Sequence, residues 1–443
     1  MAENPKLAAA MARLDALTDW ERRPRNRMRV GLEPARDLAA RLGDPQKAFR
    51  AVHVAGTKGK GSVSALIEAA LAGADLRVGR YASPHVERVT ERVSLMGRDV
   101  DPETLARGLT EALDAYEAAR RDGTAAAEAT WFDLLTLSAF VIFRGASVEW
   151  AIVEVGLGGR LDSTNIVDGE VAVVTNIGLE HTEILGVTRA AIASEKAGIL
   201  KPGAILVTTL AADDEAGRVA HARARALGCD VVVSEAGEGA TIEETNVALA
   251  GAVLDALGRK GVTTRAGAPV GAALLDAETR ARARLVGRME RFTLDGGIRP
   301  LPIVLDGAHV PFNIAAVLRD LARAPELAGP CVAVVALARD KDAHGFLTEL
   351  GNRASAIIAT SVPSATRGLP ADELHAIAAS LGIASEVEPD PKRAFRRGAE
   401  LAETTDAWLL VTGSLYLVGA LRAEVARMRR GSDAARRFTS NAR

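Results

Sequence analysis

The chain has 443 residues, of which 48% are hydrophobic and 25% are charged, a composition that excludes a wholly disordered chain and suits two or three globular domains. Lysine and arginine total 55 and aspartate and glutamate total 57, so the formal net charge is −2. This balance, with only 4% aromatic residues, argues against nucleic acid as the main partner.

Short apolar, β-branched runs alternate with helical stretches along the chain. The predicted strands are residues 51–55, 150–155, 171–175, 205–209, 231–233, 303–305, 332–336, 357–360 and 408–412. The predicted helices are residues 62–71, 132–143, 244–257, 314–322 and 415–427. The strands are continuous apolar runs, as expected of strands buried on both faces, so the pattern predicts an α/β protein with mostly parallel sheets and helices on both faces.

A domain boundary is predicted within residues 287–302, which read GRMERFTLDGGIRPLP. Two adjacent glycines and two prolines interrupt the pattern there, and a new series of strands and helices begins afterwards. We therefore expect an N-terminal domain over residues 1–296 and a smaller C-terminal domain over residues 297–443.

The sequence is expected to contain neither a membrane-spanning helix nor a secretory signal. The chain has no apolar run of the about 18–20 residues that a membrane-spanning helix needs. The N-terminal stretch MAENPKLAAAMARLDALTDW contains acidic residues and no continuous apolar core, unlike a secretory signal. Cys229 and Cys331 are far apart and form neither a metal-ligand pair nor a disulfide framework. We therefore expect a cytoplasmic protein.

A glycine-rich segment connects the first of these strands to the helix after it. It reads Gly56-Thr57-Lys58-Gly59-Lys60-Gly61-Ser62. Backbone N–H groups and the positive end of the helix dipole converge at such a turn, and a lysine can reach terminal phosphates, so the segment predicts a nucleotide-phosphate site. It departs from the standard P-loop, because Val54 stands in place of the first glycine and Gly61 separates Lys60 from Ser62. The alternative is an ordinary tight turn.

A carboxylate is expected near such a loop, because phosphate loops work with magnesium. Glu154 lies near the end of the apolar run AIVEV, where a charge is costly unless it is paired or bound to a metal. The alternative for Glu154 is an ion pair with a structural arginine. His181 follows the next strand in TNIGLEHT, and a single histidine there is more often structural than a ligand.

Six sequence blocks occur in the order of one known family. They are HVAGTKGKGSV, YASPHVERVTERVSLMG, EVGLGGRLDSTN, TNIGLEHT, SEKAGILKPG and DGAH. Over about residues 27–419 the chain resembles the folylpolyglutamate synthase/dihydrofolate synthase family, a branch of the Mur-type ATP-dependent amino-acid ligases. The resemblance implies an N-terminal P-loop-type domain of the Mur-ligase central kind, which binds ATP, and a smaller Rossmann-like C-terminal domain of the Mur-ligase kind.

The resemblance also implies roles for residues of the N-terminal domain. The loop of residues 56–62 would hold ATP phosphates, with Lys60 on the terminal ones. Ser83, Glu154 and His181 would be magnesium ligands. Lys196 in SEKAGI matches a lysine that is carbamylated in relatives, where carbon dioxide converts the amine into a carboxylate-like metal ligand. The alternative for Lys196 is an ordinary lysine near the phosphates.

Further nucleotide contacts that the resemblance implies are Asn246, Arg288 and Asp306, with His309 near the transferred phosphate.

The sequence departs from the family pattern at two positions, and a third position is a candidate to compensate for one of them. The family block DGAHNP reads DGAHVP here, so Val310 replaces an asparagine that can both donate and accept hydrogen bonds. Asn313 is a candidate to compensate. Asp133 in TWFDLLT stands where relatives often carry glutamate.

By resemblance, the activity is an ATP-dependent ligation of L-glutamate to the carboxylate of a pterin acid. The acceptor would be dihydropteroate, a tetrahydrofolate mono- or polyglutamate, or both, and an acyl phosphate would form with release of ADP and then phosphate. The cofactors would be ATP and one or two Mg²⁺, with small-molecule partners, no nucleic acid, no membrane and a monomeric state. The alternatives are a ligase of the same family with another acid acceptor, a non-catalytic nucleotide-binding protein and a kinase.

Overall fold

The computed structural model describes residues 4–20, 31–295, 298–363 and 367–440, with side chains described as far as residue 428. The chain divides into two compact units, Met1–Arg284 and Leu285–Arg443. The division lies before the predicted boundary at residues 296 and 297, because a strand over Glu290–Leu294 pairs with the strand over Leu301–Leu305 in the second unit. Gly296 and Gly297 themselves are outside the described residues.

The first unit is built on one eight-stranded sheet. Its strands are β1 (Arg50–Ala55), β2 (Val78–Tyr81), β3 (Val93–Leu95), β4 (Arg98–Asp99), β5 (Trp150–Glu154), β6 (Gly169–Val174), β7 (Ile205–Thr208) and β8 (Asp230–Val233). They follow the order β4-β3-β2-β5-β1-β6-β7-β8. Strands β2, β5, β1, β6, β7 and β8 are parallel, and β3 and β4 add an antiparallel edge.

Ten helices accompany this sheet in the described residues. They are α1 (Pro5–Asp15), α2 (Glu33–Arg41), α3 (Lys60–Gly73), α4 (Pro102–Asp122), α5 (Trp131–Gly145), α6 (Thr182–Leu185), α7 (Arg189–Ala197), α8 (Glu215–Ala226), α9 (Ile242–Arg259) and α10 (Ala277–Arg282). Helix α5 is buried around nearly its whole circumference, and Leu134, Phe140 and Phe143 are fully buried in the same core as α4. A helix of this kind belongs in the core of a large domain.

The second unit contains a six-stranded sheet. Its strands are β9 (Glu290–Leu294), β10 (Leu301–Leu305), β11 (Cys331–Val335), β12 (Ala354–Ala359), β13 (Ser385–Val387) and β14 (Trp408–Thr412). The order is β13-β12-β11-β14-β10-β9, with only β9 antiparallel. Its helices are α11 (Pro311–Leu321), α12 (Ala343–Gly351), α13 (Ala371–Ser380), α14 (Pro391–Thr404) and α15 (Leu415–Ser440).

The predicted fold class is confirmed, since both units are α/β with mostly parallel sheets. Each predicted strand is present, as β1, β5, β6, β7, β8, β10, β11, β12 and β14. The short strands β2, β3, β4, β9 and β13 were not predicted. Among the described residues, the structure has no helix with the length and apolarity that crossing a bilayer requires.

Candidate nucleotide and metal site

Four neighbouring parallel strands of the first unit end at one edge of its sheet. Strands β2, β5, β1 and β6 are adjacent, and the register pairs Val54 with Glu154. Ser83 comes two residues after the end of β2, and the glycine-rich loop and the TNIGLEHT segment follow β1 and β6. The structure therefore brings the predicted phosphate loop and the predicted metal ligands Ser83, Glu154 and His181 to the carboxyl edge, where open α/β sheets bind ligands.

Two glycines of the loop are required by close approach. Gly56 has a φ of 146°, and a Cβ there would lie 1.8 Å from the Thr175 hydroxyl oxygen. Gly59 has a φ of 85°, and a Cβ there would lie 2.7 Å from Oδ1 of Asn246. Both positive φ values are accessible to glycine and strained for other residues. Asn246, a buried residue of α9 that the resemblance implies as a nucleotide contact, thus borders the loop.

Lys60 begins helix α3, directly after the loop. Its Nζ donates to the carbonyl of Gly56 at 3.3 Å and lies 3.9 Å from Oε1 of Glu154. Glu154 is 4% exposed at the end of a buried strand, and Lys60 supplies a neighbouring positive charge. Within the described residues no side chain caps the N-terminus of α3, so the first N–H groups of a 14-residue helix point toward this position.

The TNIGLEHT segment after β6 is bonded to the loop. The Thr57 N–H donates to the Asn176 carbonyl at 2.8 Å, and Nζ of Lys58 donates to Oε1 of Glu180 at 3.0 Å. His181 has a φ of 54°, and its Nε2 lies 3.8 Å from Oε1 of Glu180. The two sequence motifs therefore form one continuous hydrogen-bonded structure.

Lys196 on α7 is nearly inaccessible, with 6% of its surface exposed. Burial lowers the pKa of its ammonium to about 7, and the positive charges of Lys60 and Lys58 act in the same direction while Glu180 opposes them. A substantial neutral fraction of this amine therefore exists near neutral pH. This is the form that can react with carbon dioxide.

The EVGLGGRLDSTN segment holds the end of α7. The Arg160 N–H donates to the Glu195 carbonyl at 2.8 Å, and Nδ2 of Asn165 donates to the Gly198 carbonyl at 3.2 Å. The segment itself is closed by Asp162, whose carboxylate accepts the Leu157 N–H at 2.8 Å. Burial raises the pKa of Asp162. Two motifs that are separate in sequence thus support the position of Lys196.

The remaining predicted residues lie together in the second unit, where Asp306 and His309 follow β10 and Arg288 precedes β9. Asp306 accepts the N–H groups of Met289 and Ala308, both at 2.8 Å. Nδ1 of His309 lies 2.8 Å from the Gly307 carbonyl, which can only accept, so Nδ1 donates the hydrogen of this bond. Arg288 is close as well, since its guanidinium lies 3.6 Å from where a Cβ of Gly307 would be.

Comparison with known proteins matches both units to ligase domains. The Mur ligase middle domain matches residues 54–254, and the Mur ligase glutamate ligase domain matches residues 287–415. The bifunctional folylpolyglutamate synthase/dihydrofolate synthase of Yersinia pestis, complexed with AMPPNP and a Mn ion, is 30% identical with a TM-score of 0.77, over 95% of this chain and 98% of that one. The chain belongs to the folylpolyglutamate synthase/dihydrofolate synthase family.

Other members of the family agree with this assignment. The Mycobacterium tuberculosis folylpolyglutamate synthase complexed with ADP has a TM-score of 0.80 at 25% identity, over 95% of this chain and 98% of that one. The dihydrofolate synthase/folylpolyglutamate synthase of Escherichia coli is 46% identical over 172 residues, or 39% of each chain. The matched segment therefore spans about two fifths of the length of that curated relative.

Two departures from the pattern of the folylpolyglutamate synthase/dihydrofolate synthase family have visible consequences. Val310 is 4% exposed and precedes α11, whose first turn has no side-chain cap among the described residues. Asn313 bonds to Val310 through its backbone N–H, at 3.1 Å from the carbonyl. Asp133 is buried, accepts the Thr130 N–H and hydroxyl at 2.7 Å each, and accepts the Ser163 hydroxyl. The shorter acid thus has a full set of partners.

Several residues that shape the site of this family member were not predicted from the sequence. Thr175, Asn176 and Glu180 contact the phosphate loop, and Asp162 closes the segment after β5. Asp162 stands two residues before Thr164 and accepts its N–H at 3.0 Å, which is the local pattern of an Asx turn. That signal was present in the sequence. The contacts made by Thr175, Asn176 and Glu180 join distant segments and left no comparable local pattern.

Proposed function

We propose that the protein is an ATP-dependent ligase that joins L-glutamate to the carboxylate of a pterin acid. The acceptor is dihydropteroate, a tetrahydrofolate mono- or polyglutamate, or both. The proposal rests on the glycine-rich loop of residues 56–62 and on Lys60, which begins α3. Nζ of Lys60 lies 3.9 Å from the Glu154 carboxylate. The family membership and the ADP, AMPPNP and Mn found in its solved members support it.

The reaction has two steps. A carboxylate oxygen of the pterin acid attacks the γ-phosphorus of ATP, the bond from that phosphorus to the bridging oxygen breaks, and an acyl phosphate and ADP form. The amino group of L-glutamate then attacks the acyl carbon, phosphate leaves, and the nitrogen loses a proton. All reacting groups of the first step are anionic, so Lys60 and the N-terminus of α3 reduce their repulsion and orient them in line.

The candidate metal ligands fit a magnesium ion. Glu154 is a carboxylate buried at the end of an apolar strand, which favours a neighbouring cation, and Ser83 and His181 add a hydroxyl and an imidazole. One or two Mg²⁺, when bound, neutralise charge on the ATP phosphates. Ser83, Glu154 and His181 would hold the ion, and the segment that carries His181 is bonded to the phosphate loop through Asn176.

Lys196 is a candidate for carbamylation. The neutral amine attacks the carbon of carbon dioxide, a carbon–nitrogen bond forms, and a proton is released. The pKa of about 7 supports this chemistry, because an ordinary lysine is almost wholly protonated at neutral pH. In the second unit, Arg288 and Asp306 would contact the nucleotide and His309 would lie near the transferred phosphate.

The deciding experiment measures ADP release with ATP and Mg²⁺, with and without L-glutamate, for dihydropteroate and tetrahydrofolate separately. Glutamate-dependent release with either acceptor supports the proposal and assigns the acceptor. A phosphorylated product formed without an amino acid would favour a kinase. ATP binding without ADP release for either acceptor would favour a nucleotide-binding protein or a ligase for another acid. In the latter case Val310 is the first position to test, because no side chain of the described residues caps the start of α11 there. Monomeric state and cytoplasmic location stay predictions.

A further inference from the structure

We propose that the side chain of Lys58 is a positioning group rather than a phosphate ligand. Its ion pair with Glu180 clamps the phosphate loop to residues 175–181 and so fixes where His181 stands. This role rests on the proposed function, because it concerns the loop that would hold ATP phosphates.

The backbone of Lys58 is bonded on both sides to the end of β6. Its N–H donates to Oδ1 of Asn176 at 3.0 Å, and its carbonyl accepts from Nδ2 of the same residue at 3.0 Å and from the Thr175 hydroxyl at 2.6 Å. The neighbouring Thr57 hydroxyl accepts the Gly178 N–H at 3.0 Å. The loop is therefore already joined to this segment before any side-chain charge is considered.

The two lysines of the loop have different partners. Nζ of Lys60 bonds to Gly56 and lies beside Glu154, at the start of the long helix α3. Nζ of Lys58 instead lies 3.0 Å from Oε1 of Glu180, and the side chains of this pair are only 17% and 9% exposed. An ion pair so poorly hydrated is more sensitive to the removal of one partner than an ordinary surface ion pair is.

The same carboxylate connects the pair to the candidate metal ligand. Oε1 of Glu180 is 3.8 Å from Nε2 of His181. His181 has a φ of 54°, a left-handed conformation that is uncommon in non-glycine residues and costs energy that its surroundings must supply. Because Lys58 fixes the Glu180 carboxylate, it fixes the adjacent residue as well. Lys58 thereby influences the candidate metal site without contacting a phosphate itself.

The competing role for Lys58 is direct binding of a phosphate, with Glu180 holding it only in the empty site. The two roles differ in metal-free nucleotide binding. We would compare Lys58→Met, Glu180→Gln and the double variant with the matched control Lys60→Met. The first readout is the dissociation constant of AMPPNP in EDTA. The second is hydrogen exchange in peptides that cover residues 56–60 and 175–181.

If Lys58 is a positioning group, Lys58→Met changes AMPPNP affinity by less than about threefold, whereas Lys60→Met weakens it by more than about tenfold. Hydrogen exchange in both peptides rises in Lys58→Met and in Glu180→Gln. In the double variant, exchange is no faster than in the more affected single variant, because both substitutions break the same ion pair. Lys58→Arg restores protection from exchange. In turnover, kcat falls while KM for ATP is little changed.

The proposal is overturned if Lys58→Met weakens AMPPNP binding as much as Lys60→Met does while Glu180→Gln has no effect. It is also overturned if exchange in the two peptides is unchanged. Should Lys58→Met fail to fold, the isosteric Glu180→Gln provides the same comparison. Wild-type protein that binds AMPPNP but turns over neither acceptor would refute the proposed reaction, and the exchange measurements would still decide the role of the clamp.

Discussion

The Lys60 ammonium lies 3.9 Å from the Glu154 carboxylate, although the two residues belong to segments that follow different strands. The contact exists because β1 and β5 are parallel neighbours, so that their carboxyl ends meet. The proposed phosphate-binding cation and the proposed metal-binding carboxylate thus occupy the same edge of the sheet.

Replacing either member of this pair should impair turnover without unfolding the first unit. We expect Lys60→Met to reduce kcat/KM by at least about a hundredfold, because an aligned positive charge is lost where negative charge develops. Glu154→Gln keeps the shape of the side chain but should raise the Mg²⁺ concentration required for half-maximal rate. The measurement is ADP release across a Mg²⁺ titration, and an unchanged Mg²⁺ dependence in Glu154→Gln would place the metal elsewhere.

His53 should make the protein less stable in mild acid. Its ring is fully buried in β1, Nε2 bonds to the Thr164 hydroxyl at 3.0 Å, and Nδ1 has no partner in the described part of the chain. Burial lowers the pKa of His53 to about 3, against 6.5 for an unfolded histidine. Below pH 6.5 the unfolded chain therefore binds a proton that the folded chain does not, and stability falls by up to about 1.4 kcal/mol per pH unit.

Urea unfolding as a function of pH checks the role of His53. We expect His53→Gln to flatten the decline between pH 6.5 and about 3, whatever its stability at pH 7. His344→Gln, at an exposed position on α12, serves as the control and should follow the wild-type profile. If the free energy of unfolding fell with pH equally in wild type and in His53→Gln, His53 would not be the cause of the acid sensitivity.

Glu424 should stabilise the second unit above pH 4.5. Its carboxylate, 5% exposed, accepts from Arg427 at 2.5 Å and from Arg396 at 2.8 Å, which lowers the pKa of Glu424 from 4.5 to about 2. The stabilisation is complete above pH 4.5 and is lost as the pH falls through about 2. Because both arginines are half-exposed, we expect Glu424→Gln to cost about 1–2 kcal/mol at pH 7. A stability difference that persisted at pH 2 would show another cause.

Asp133 should be needed for the junction between α5 and the EVGLGGRLDSTN segment. Asp133→Asn replaces an acceptor of three hydrogen bonds with a group that also carries donors, and we expect a loss of about 1–2 kcal/mol. Asp133→Glu lengthens the side chain by one methylene and tests whether a longer acid fits. Thermal unfolding gives the energies, and KM for the two acceptors reports any change at the site. A fully stable Asp133→Asn would mean that solvent replaces these bonds.

Both cysteines should resist thiol reagents in the native protein. Cys331 is fully buried in β11, where burial raises its pKa to about 12, and Cys229 is 8% exposed. The thiolate is the reactive form, so labelling by a disulfide reagent should require unfolding. Rapid labelling of either residue without denaturant would reveal a local opening, and Cys331→Ser and Cys229→Ser would identify which residue reacts.

The sequence predicted what is local and repeated. Continuous apolar runs gave the central strands, and the glycine-lysine pattern gave the loop, because both signals lie within a few neighbouring residues. The short strand β2 was missed since Val78–Tyr81 contains a glycine and an arginine. The partners of the loop were missed for a different reason, as Lys58 and Glu180 are separated by 122 positions. Likewise, the lowered pKa of Lys196 depends on burial, which only the assembled fold determines.

The strand order also bears on how the protein acquires its site during synthesis. Val54 pairs with Glu154, and Ala55 pairs with Val174, so about a hundred further residues must be synthesised before the central strand β1 has both neighbours. Contacts this distant in sequence slow folding, and an unpaired strand is open to aggregation in the meantime. The phosphate loop therefore cannot take its final form on a nascent chain that ends before β6. Truncated or stalled chains of this length should depend on chaperones and should not bind nucleotide.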